Sequence, residues 1–504
     1  MRTFILTAAI ACLSFVSKAQ NNNDIFLAGK VDTLYSKTLG EQRKIWIYSP
    51  TMKPGNVFTG ERFPVLYLLD GDVHFESLVT MIRQLSEIDG NTNFPPMIVV
   101  GILNTDRTRD LTPTHIKNDL PMMDSAASIN TGGNEKFIEF MQHELMPHID
   151  SLYPTQPYRL LVGHSFGGLT AMNILTNHTN MFNAYIAIDP SMWYGHETFL
   201  KTTEQKLLQQ KFAGIKLYIG MANTKPEEMT LEKMKTDTTA ITRHMRSIFI
   251  LDNFISKNSI DGLAYASNYY ADDDHGSVPF ISEYDGLRFI FKDYKLKLSF
   301  AEFTDSSTAI IKKFQTHYET VSRQFGYTIL PPEDLIYNFG LYAMSSGFFT
   351  KAEALFTMNL ENYPNNENSL AAFAALYAAK KDTANAVLFY QRAYNINKSP
   401  EIMQLMNALQ GKNNFNISTD QLKEYTGVYE FQTVGVTATV YIKDTVLWIS
   451  SPGQGEMELV PVEKDSFVIK NKIGYTLHFE LNGNKPAGLT SIQPNGTFQA
   501  KVKE

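Results

Sequence analysis

From Val31 to about Tyr294, short apolar runs alternate with stretches whose apolar residues recur at helical spacing. The runs "KIWIYSP" (Lys44–Pro50), "PVLYLLDGD" (Pro64–Asp72), "PMIVVGIL" (Pro96–Leu103), "YRLLVGHS", "AYIAIDPS" (Ala184–Ser191) and "IKLYIGMAN" (Ile215–Asn223) are β-rich and mostly continuous. A strand reads this way when both its faces are covered, as in a largely parallel sheet. Between the runs, "NEKFIEFMQHELMPHIDSLY" (Asn134–Tyr153) has helical periodicity and predicts a helix just before the "YRLLVGHS" strand. The expected fold is an α/β sheet with helices on both faces, spanning residues 24–298.

After Tyr294 the pattern becomes helical over residues 299–411. Ile336, Phe339, Gly340, Ala352, Phe356 and Pro364 stand at the spacing of a tetratricopeptide helix pair. Leu370, Phe373, Ala374, Tyr377, Ala386, Tyr390 and Ala393 repeat it at a period of about 34 residues. The polar stretch "GKNNFNIST" (Gly411–Thr419) reads as a linker, and residues 418–504 alternate apolar and polar positions between turn residues, which predicts a small antiparallel β domain.

Composition narrows the function classes. Hydrophobic content of 43%, charge of 19% and aromatics of 12% are those of a globular chain. A formal net charge of −7 and the lack of a strong basic run argue against a nucleic-acid partner. The opening "MRTFILTAAIACLSFVSKAQ" has Arg2, an apolar run from Phe4 to Val16 and small residues to Ala19, so residues 1–19 are expected to be a signal peptide. That run is shorter than the about 20 residues needed to span a bilayer. The expected address is therefore secreted or periplasmic, with no membrane span. Cys12 is the one cysteine, so a chain cut near Ala19 has no thiol for catalysis, disulfides or metal binding.

The chemistry concentrates in Gly163-His164-Ser165-Phe166-Gly167. A strand enters, a helix leaves, and the glycines permit a sharp reversal, which is the context of a nucleophile elbow. The Phe166 amide at the helix start is a ready oxyanion donor. A serine nucleophile needs a base, and the base needs an orienting acid. In the order serine, acid, histidine, the base follows the last strand, which selects His275 after "GLAYASNYYADDD" among eleven histidines. His244, in "AITRHMRSIF", reads as a solvated or packed helix residue. For the acid, no carboxylate directly follows "IKLYIG"; the choice falls on Asp237, with Glu227 or Glu228 as alternatives.

These residues resemble the branch of the α/β-hydrolases that holds enterobactin-type siderophore esterases, feruloyl esterases, S-formylglutathione hydrolases and mycolyltransferases. The resemblance rests on "FPVLYLLDGDVHF", "VVGILNTDRTRDLTP", "FIEFMQHELMPHIDSLYP", "LLVGHSFGGLTAMNIL", "FNAYIAIDPSMWY" and "DDDHGSVP", in that order. It implies Ser165 as nucleophile, His275 as base and an oxyanion hole made by the amides of Phe166 and Asp72. Some members carry the acid where this chain has Asn223 and Thr224, others at a helix start matching Asp237, and some work with a Ser–His dyad. Arg107 and Arg109, in the loop resembling the siderophore-esterase version, and Trp193 are candidate substrate contacts. The expected activity is hydrolysis of a small-molecule or glycan-linked carboxylic ester through an acyl-enzyme, with no cofactor and no metal; acyl transfer would use the same residues. The alternative is an inactive hydrolase scaffold that binds a protein partner through its tetratricopeptide-like helices.

Overall fold

The computed structural model describes residues 29–50, 62–88, 91–411, 417–432, 435–452, 454–470, 475–493 and 496–503. The signal-peptide reading of residues 1–19 lies outside them, as does most of the predicted linker. The chain separates into two units, one ending at Lys295 and one beginning at Leu296.

The first unit opens with strands β1 (Lys30–Ser36), β2 (Glu41–Tyr48) and β3 (Phe63–Leu68), helix α1 (Gly71–Ser86), strand β4 (Ile98–Ile102) and the short helix α2 (Arg107–Leu111). Helices α3 (Asn134–Phe140) and α4 (Met146–Leu152), joined by one π turn, then lead to β5 (Thr155–His164), α5 (Phe166–Asn177), β6 (Ala184–Ile188) and α6 (Thr198–Gln209). Strand β7 (Lys216–Ala222), helices α7 (Leu231–Thr236) and α8 (Arg243–Lys257), strand β8 (Ala264–Tyr270) and helix α9 (Val278–Ile290) complete it.

The eight strands form one sheet in the order β1-β2-β4-β3-β5-β6-β7-β8, antiparallel at β1/β2 and β2/β4 and parallel from β4 to β8. Strands β3, β4 and β6 are buried at every position. Successive side chains of a strand point to opposite faces, so both faces are covered, which is why these strands read as unbroken apolar runs. Edge strand β8 is mostly part-exposed, and "AYASNYY" is correspondingly more polar.

Parallel strands end at one edge, so every loop that follows β3, β5, β6, β7 and β8 emerges on the same side. The register makes this concrete: His164 pairs with Ile188, Ile188 with Gly220, and Ala222 with Tyr270. Residues far apart in sequence are thereby gathered at one rim.

Behind that rim, α9 buries Glu283, which is 1% exposed and has no hydrogen-bond partner on either carboxyl oxygen. Burial without compensation pushes its carboxyl up to about 8. The folded chain therefore keeps a proton that the unfolded chain releases near the ordinary glutamate value of about 4.3. Fewer protons on the unfolded side means stability falls as pH rises through this window, by about 1.4 kcal/mol per pH unit at most. Replacing Glu283 with glutamine is expected to flatten that slope between pH 5 and pH 8 in chemical denaturation; an unchanged slope would assign it to other groups.

In the second unit, a short helix α10 (Phe300–Thr304) precedes α11 (Ala309–Phe325), α12 (Glu333–Ser345), α13 (Phe349–Asn362), α14 (Glu367–Ala379), α15 (Thr383–Asn397) and α16 (Pro400–Leu409). Small residues set the approach of α12 to α13: a Cβ on Gly340 would lie 2.3 Å from the Phe356 ring. Lys351 on α13 is buried, and its ammonium donates to the carbonyls of Glu302 and Asp305, satisfying the open end of α10.

After the single turn α17 (Thr419–Leu422), strands β9 (Gly427–Phe431), β10 (Val436–Lys443), β11 (Val446–Ser451), β12 (Gly455–Glu463), β13 (Ser466–Ile469), β14 (Thr476–Asn482), β15 (Lys485–Gln493) and β16 (Gly496–Val502) close into an antiparallel barrel. Its interior is filled by side chains such as Tyr429, Leu459, Phe467 and Phe479, the tight packing expected of a small barrel. The alternation seen in the sequence is the inside–outside alternation of these strands. Closure pairs β16 with β9 and leaves no open edge.

Candidate active site

Ser165 sits between the end of β5 and the start of α5 with φ 59° and ψ −112°, a backbone conformation that a non-glycine residue adopts only where its surroundings enforce it. The reversal is tight enough that a Cβ on Gly163 would lie 2.3 Å from the Gly167 carbonyl oxygen. The Ser165 amide donates to Ile188 O at 2.9 Å and its carbonyl accepts from Leu169 N at 2.9 Å, so the strained residue is fixed from both sides. Its hydroxyl lies 3.4 Å from the hydroxyl of buried Ser191. Phe166 is the first residue of α5, where backbone N–H groups have no helical acceptor.

Asp72 stands on the first turn of α1, following Asp70, whose φ of 53° turns the chain from β3 into the helix. The Asp72 amide, on the first turn, likewise has no acceptor within its helix. Asp70 itself is buried and holds Arg107 through two bonds, Nε to Oδ1 at 2.6 Å and Nη2 to Oδ2 at 2.9 Å. Burial alone would push the Asp70 carboxyl up, but the Arg107 guanidinium and Asn104 outweigh it and hold it below the usual carboxylate range. Arg107 also donates to His164 O at 3.3 Å and lies over the Phe166 ring. It thus ties together the two turns that carry the candidate oxyanion donors.

His275 lies in the loop between β8 and α9, its side chain 43% exposed. Its Nδ1 is 2.6 Å from Asp189 Oδ2, and His244 Nε2 is 2.7 Å from the same oxygen. Asp189 follows β6, is fully buried and has φ 39°, which aspartate tolerates better than most residues. Its Oδ1 accepts from the Ala222 amide at 3.0 Å. Burial would raise this carboxyl, but the bonds and charges of His244 and His275 and the Ala222 amide reverse that and hold it well below the usual range. Asp189 is therefore a carboxylate, and both ring nitrogens that face it must be N–H donors. With its proton on Nδ1, a neutral His275 keeps a lone pair on Nε2, the tautomer a general base needs.

His164 packs on His275 with ring centroids 4.5 Å apart, and His74 stands edge-on to His164 at 5.8 Å. Burial, followed by the neighbouring His275 and His74, pushes His164 down to about 3, so it is a neutral aromatic wall behind His275. The structure thus puts the ring of this elbow residue against the His275 imidazole.

Asp237, the acid favoured from the sequence, is not brought to His275. Its carboxylate accepts hydrogen bonds from Thr239 and Thr242 at the approach to α8, and Glu227 and Glu228 are exposed in the preceding loop. The structure sets Asp189 there instead, one strand earlier than the position searched. The signal was an aspartate ending the apolar run "AYIAI", since a buried charge requires a partner. His244, read as a packed or solvated helix residue, is at that carboxylate too.

The candidate substrate arginines are both engaged within the protein: Arg107 as described, and Arg109 with Glu41 at 2.7 Å and Asp110 at 2.8 Å. Trp193 is 5% exposed and packs between Phe166, Tyr194 and the Arg243 guanidinium. Among the described residues, Asp189, His244 and His275 form a group that could ligate a metal ion. Ligand atoms about 2.0–2.1 Å from a zinc ion stand more than about 3 Å from each other, so the carboxylate–imidazole bonds would have to open to admit one.

Residues 36–256 match the family model described as "Putative esterase". The ferri-bacillibactin esterase BesA of Bacillus subtilis is 30% identical over 151 residues, 28% of this chain and 52% of that protein. The chain thus spans about half the length of that relative. The siderophore triacetylfusarinine C esterase of Aspergillus fumigatus is 22% identical over 243 residues, 46% of this chain and 82% of that one. Among solved structures, an IroE-like serine hydrolase from Shewanella oneidensis superposes with a TM-score of 0.56 at 28% identity, covering 66% of this chain and 99% of its own. The first unit is thus similar, over residues 36–256, to the putative esterases of the α/β-hydrolase superfamily.

Proposed function

We propose that this protein is a secreted serine hydrolase that cleaves carboxylic esters through an acyl-enzyme, with Ser165 as nucleophile, His275 as base and Asp189 as acid. The observation that carries the reading is the strained Ser165 turn at the same sheet edge as the His275–Asp189 pair. His275 Nε2 takes the proton of Ser165 Oγ as that oxygen attacks the ester carbonyl. The amides of Phe166 and Asp72 hold the oxygen that becomes negative. Protonated His275, steadied by Asp189, passes the proton to the leaving alcohol, and water repeats the sequence on the acyl-enzyme. In the free protein the Ser165 hydroxyl rests 3.4 Å from that of Ser191, and its bond to His275 is expected to form as substrate binds.

The relatives named for bacillibactin and triacetylfusarinine C support a siderophore-type ester as substrate class. With Arg107 and Arg109 already paired, neither is a free cation for an anionic ligand, so discrimination falls to other groups at the rim. The reading of a secreted chain rests on the Arg2, Phe4–Val16 and Ala19 pattern. An inactive scaffold acting through tetratricopeptide-like helices has no observation in its favour. A fluorophosphonate probe is expected to add once per chain, at Ser165, by mass spectrometry. The same protein should hydrolyse a catecholate trilactone faster than feruloyl or acetyl-sugar esters. Absence of labelling in folded protein would end the hydrolase reading, and a reversed substrate order would end the siderophore assignment alone.

A further inference from the structure

The Asp189 carboxylate serves two imidazoles through one oxygen, which a nucleophile, base and acid acting alone do not require. His244 is the second residue of α8 and 9% exposed, and its Nε2–H reaches Asp189 Oδ2 at 2.7 Å. Its ring stands edge-on to that of His275, with centroids 5.2 Å apart at 88°. The start of α8 is pinned on both sides of it: Arg243 pairs with buried Asp119 and lies over Trp193, and Arg246 donates to Thr242 at 2.7 Å. His244 is therefore presented by a fixed turn.

We propose that His244 is a positioning residue for the catalytic acid, an inference that rests on the serine-hydrolase reading. A carboxylate can rotate about its terminal bond, and the Ala222 amide restrains only Oδ1. The second donor at Oδ2 holds that oxygen in the plane where it meets His275 Nδ1, while the His244 ring edge limits how far the His275 ring can tilt. The base nitrogen of His275 is thereby aimed at the turn that carries Ser165. His244 touches no reacting atom; it acts through Asp189, and its loss misdirects the base without altering where substrate binds. A misplacement of this kind costs up to about 100-fold in rate.

The test compares substitutions with matched reach. In glutamine the side-chain amide nitrogen stands where His Nε2 does, and in asparagine it stands where Nδ1 does, short of Asp189. With p-nitrophenyl acetate, His244→Leu is expected to lower kcat by about 10- to 100-fold with KM changed less than about twofold. His244→Gln should return kcat to within about threefold of the parent. In an Asp189→Asn background, His244→Leu should have less than about a twofold further effect, because the two act as one unit. A kcat retained in His244→Leu, a His244→Gln as impaired as His244→Leu, or a full loss carried into the Asp189→Asn background would each overturn the proposal. Should His244→Leu fail to melt cooperatively, the same decision follows from His244→Gln against His244→Asn. Ser165→Ala measured alongside separates the two readings: an active Ser165→Ala removes the hydrolase reading itself, whereas an inactive Ser165→Ala beside a fully active His244→Leu removes only the role of His244.

Discussion

Ser165→Ala is expected to lower kcat/KM for p-nitrophenyl acetate by about 10⁴-fold or more and to abolish fluorophosphonate labelling. The size follows from what the hydroxyl supplies. Without it there is no acyl-enzyme, and the oxyanion donors and bound substrate are left with only unassisted water. The substitution removes one oxygen at a position whose φ of 59° is enforced by bonds to Ile188 and Leu169, so the fold should persist with a similar melting temperature. An alanine variant that turns over substrate at the parental rate would sink the assignment of Ser165. A variant that loses both activity and its melting transition would be read instead from labelling of the parent protein.

The second large effect is expected at Asp189. Asp189→Asn keeps the shape and tolerance for positive φ, but its amide no longer demands an N–H from His275. The imidazole can then present its proton, instead of its lone pair, to Ser165. In the serine-protease case used as the general template, this change costs about 10⁴-fold in kcat. A loss of about 10³- to 10⁴-fold is expected here, with Asp237→Asn within about twofold of the parent. Asp237 accepts bonds from Thr239 and Thr242 at the protein surface, so its neutralisation removes only a local cap. Equal rates for Asp189→Asn and parent, or a collapse in Asp237→Asn, would return the acid to the loop after β7.

Positive-φ residues define the working edge of this molecule. Asp70, Ser165 and Asp189 all carry it, at the ends of three adjacent parallel strands. Such conformations persist when neighbours over-determine them, and here the neighbours are one another: Arg107 joins Asp70 to His164 O, and Ser165 N bonds Ile188 O. The strain is thus held in a connected set of turns that places Ser165, Asp189 and the candidate oxyanion donors.

The strands β3, β4, β5, β6 and β7 could be read from the sequence because burial on both faces leaves a local trace, an unbroken apolar run. The elbow could be read because its glycines answer a local steric demand. His275 could be read because chain order restricts which histidine follows the last strand. Asp189 and His244 left no comparable trace. Their meeting depends on β6 lying beside β7 in the sheet, a pairing of residues 32 apart, and on the angle at which α8 begins, which brings His244 to a residue 55 positions earlier. A hydrogen bond between distant residues has no period, and an aspartate before a proline looks like any turn. The arginines show the same limit in reverse: their charge is local and visible, but the tertiary structure decided that Asp70, Glu41 and Asp110 would consume it. What the chain alone determined was the sheet, the serine turn and His275 as the candidate base; the carboxylate that meets it, the second histidine there and the loss of the two free cations were decided only when the strands came together.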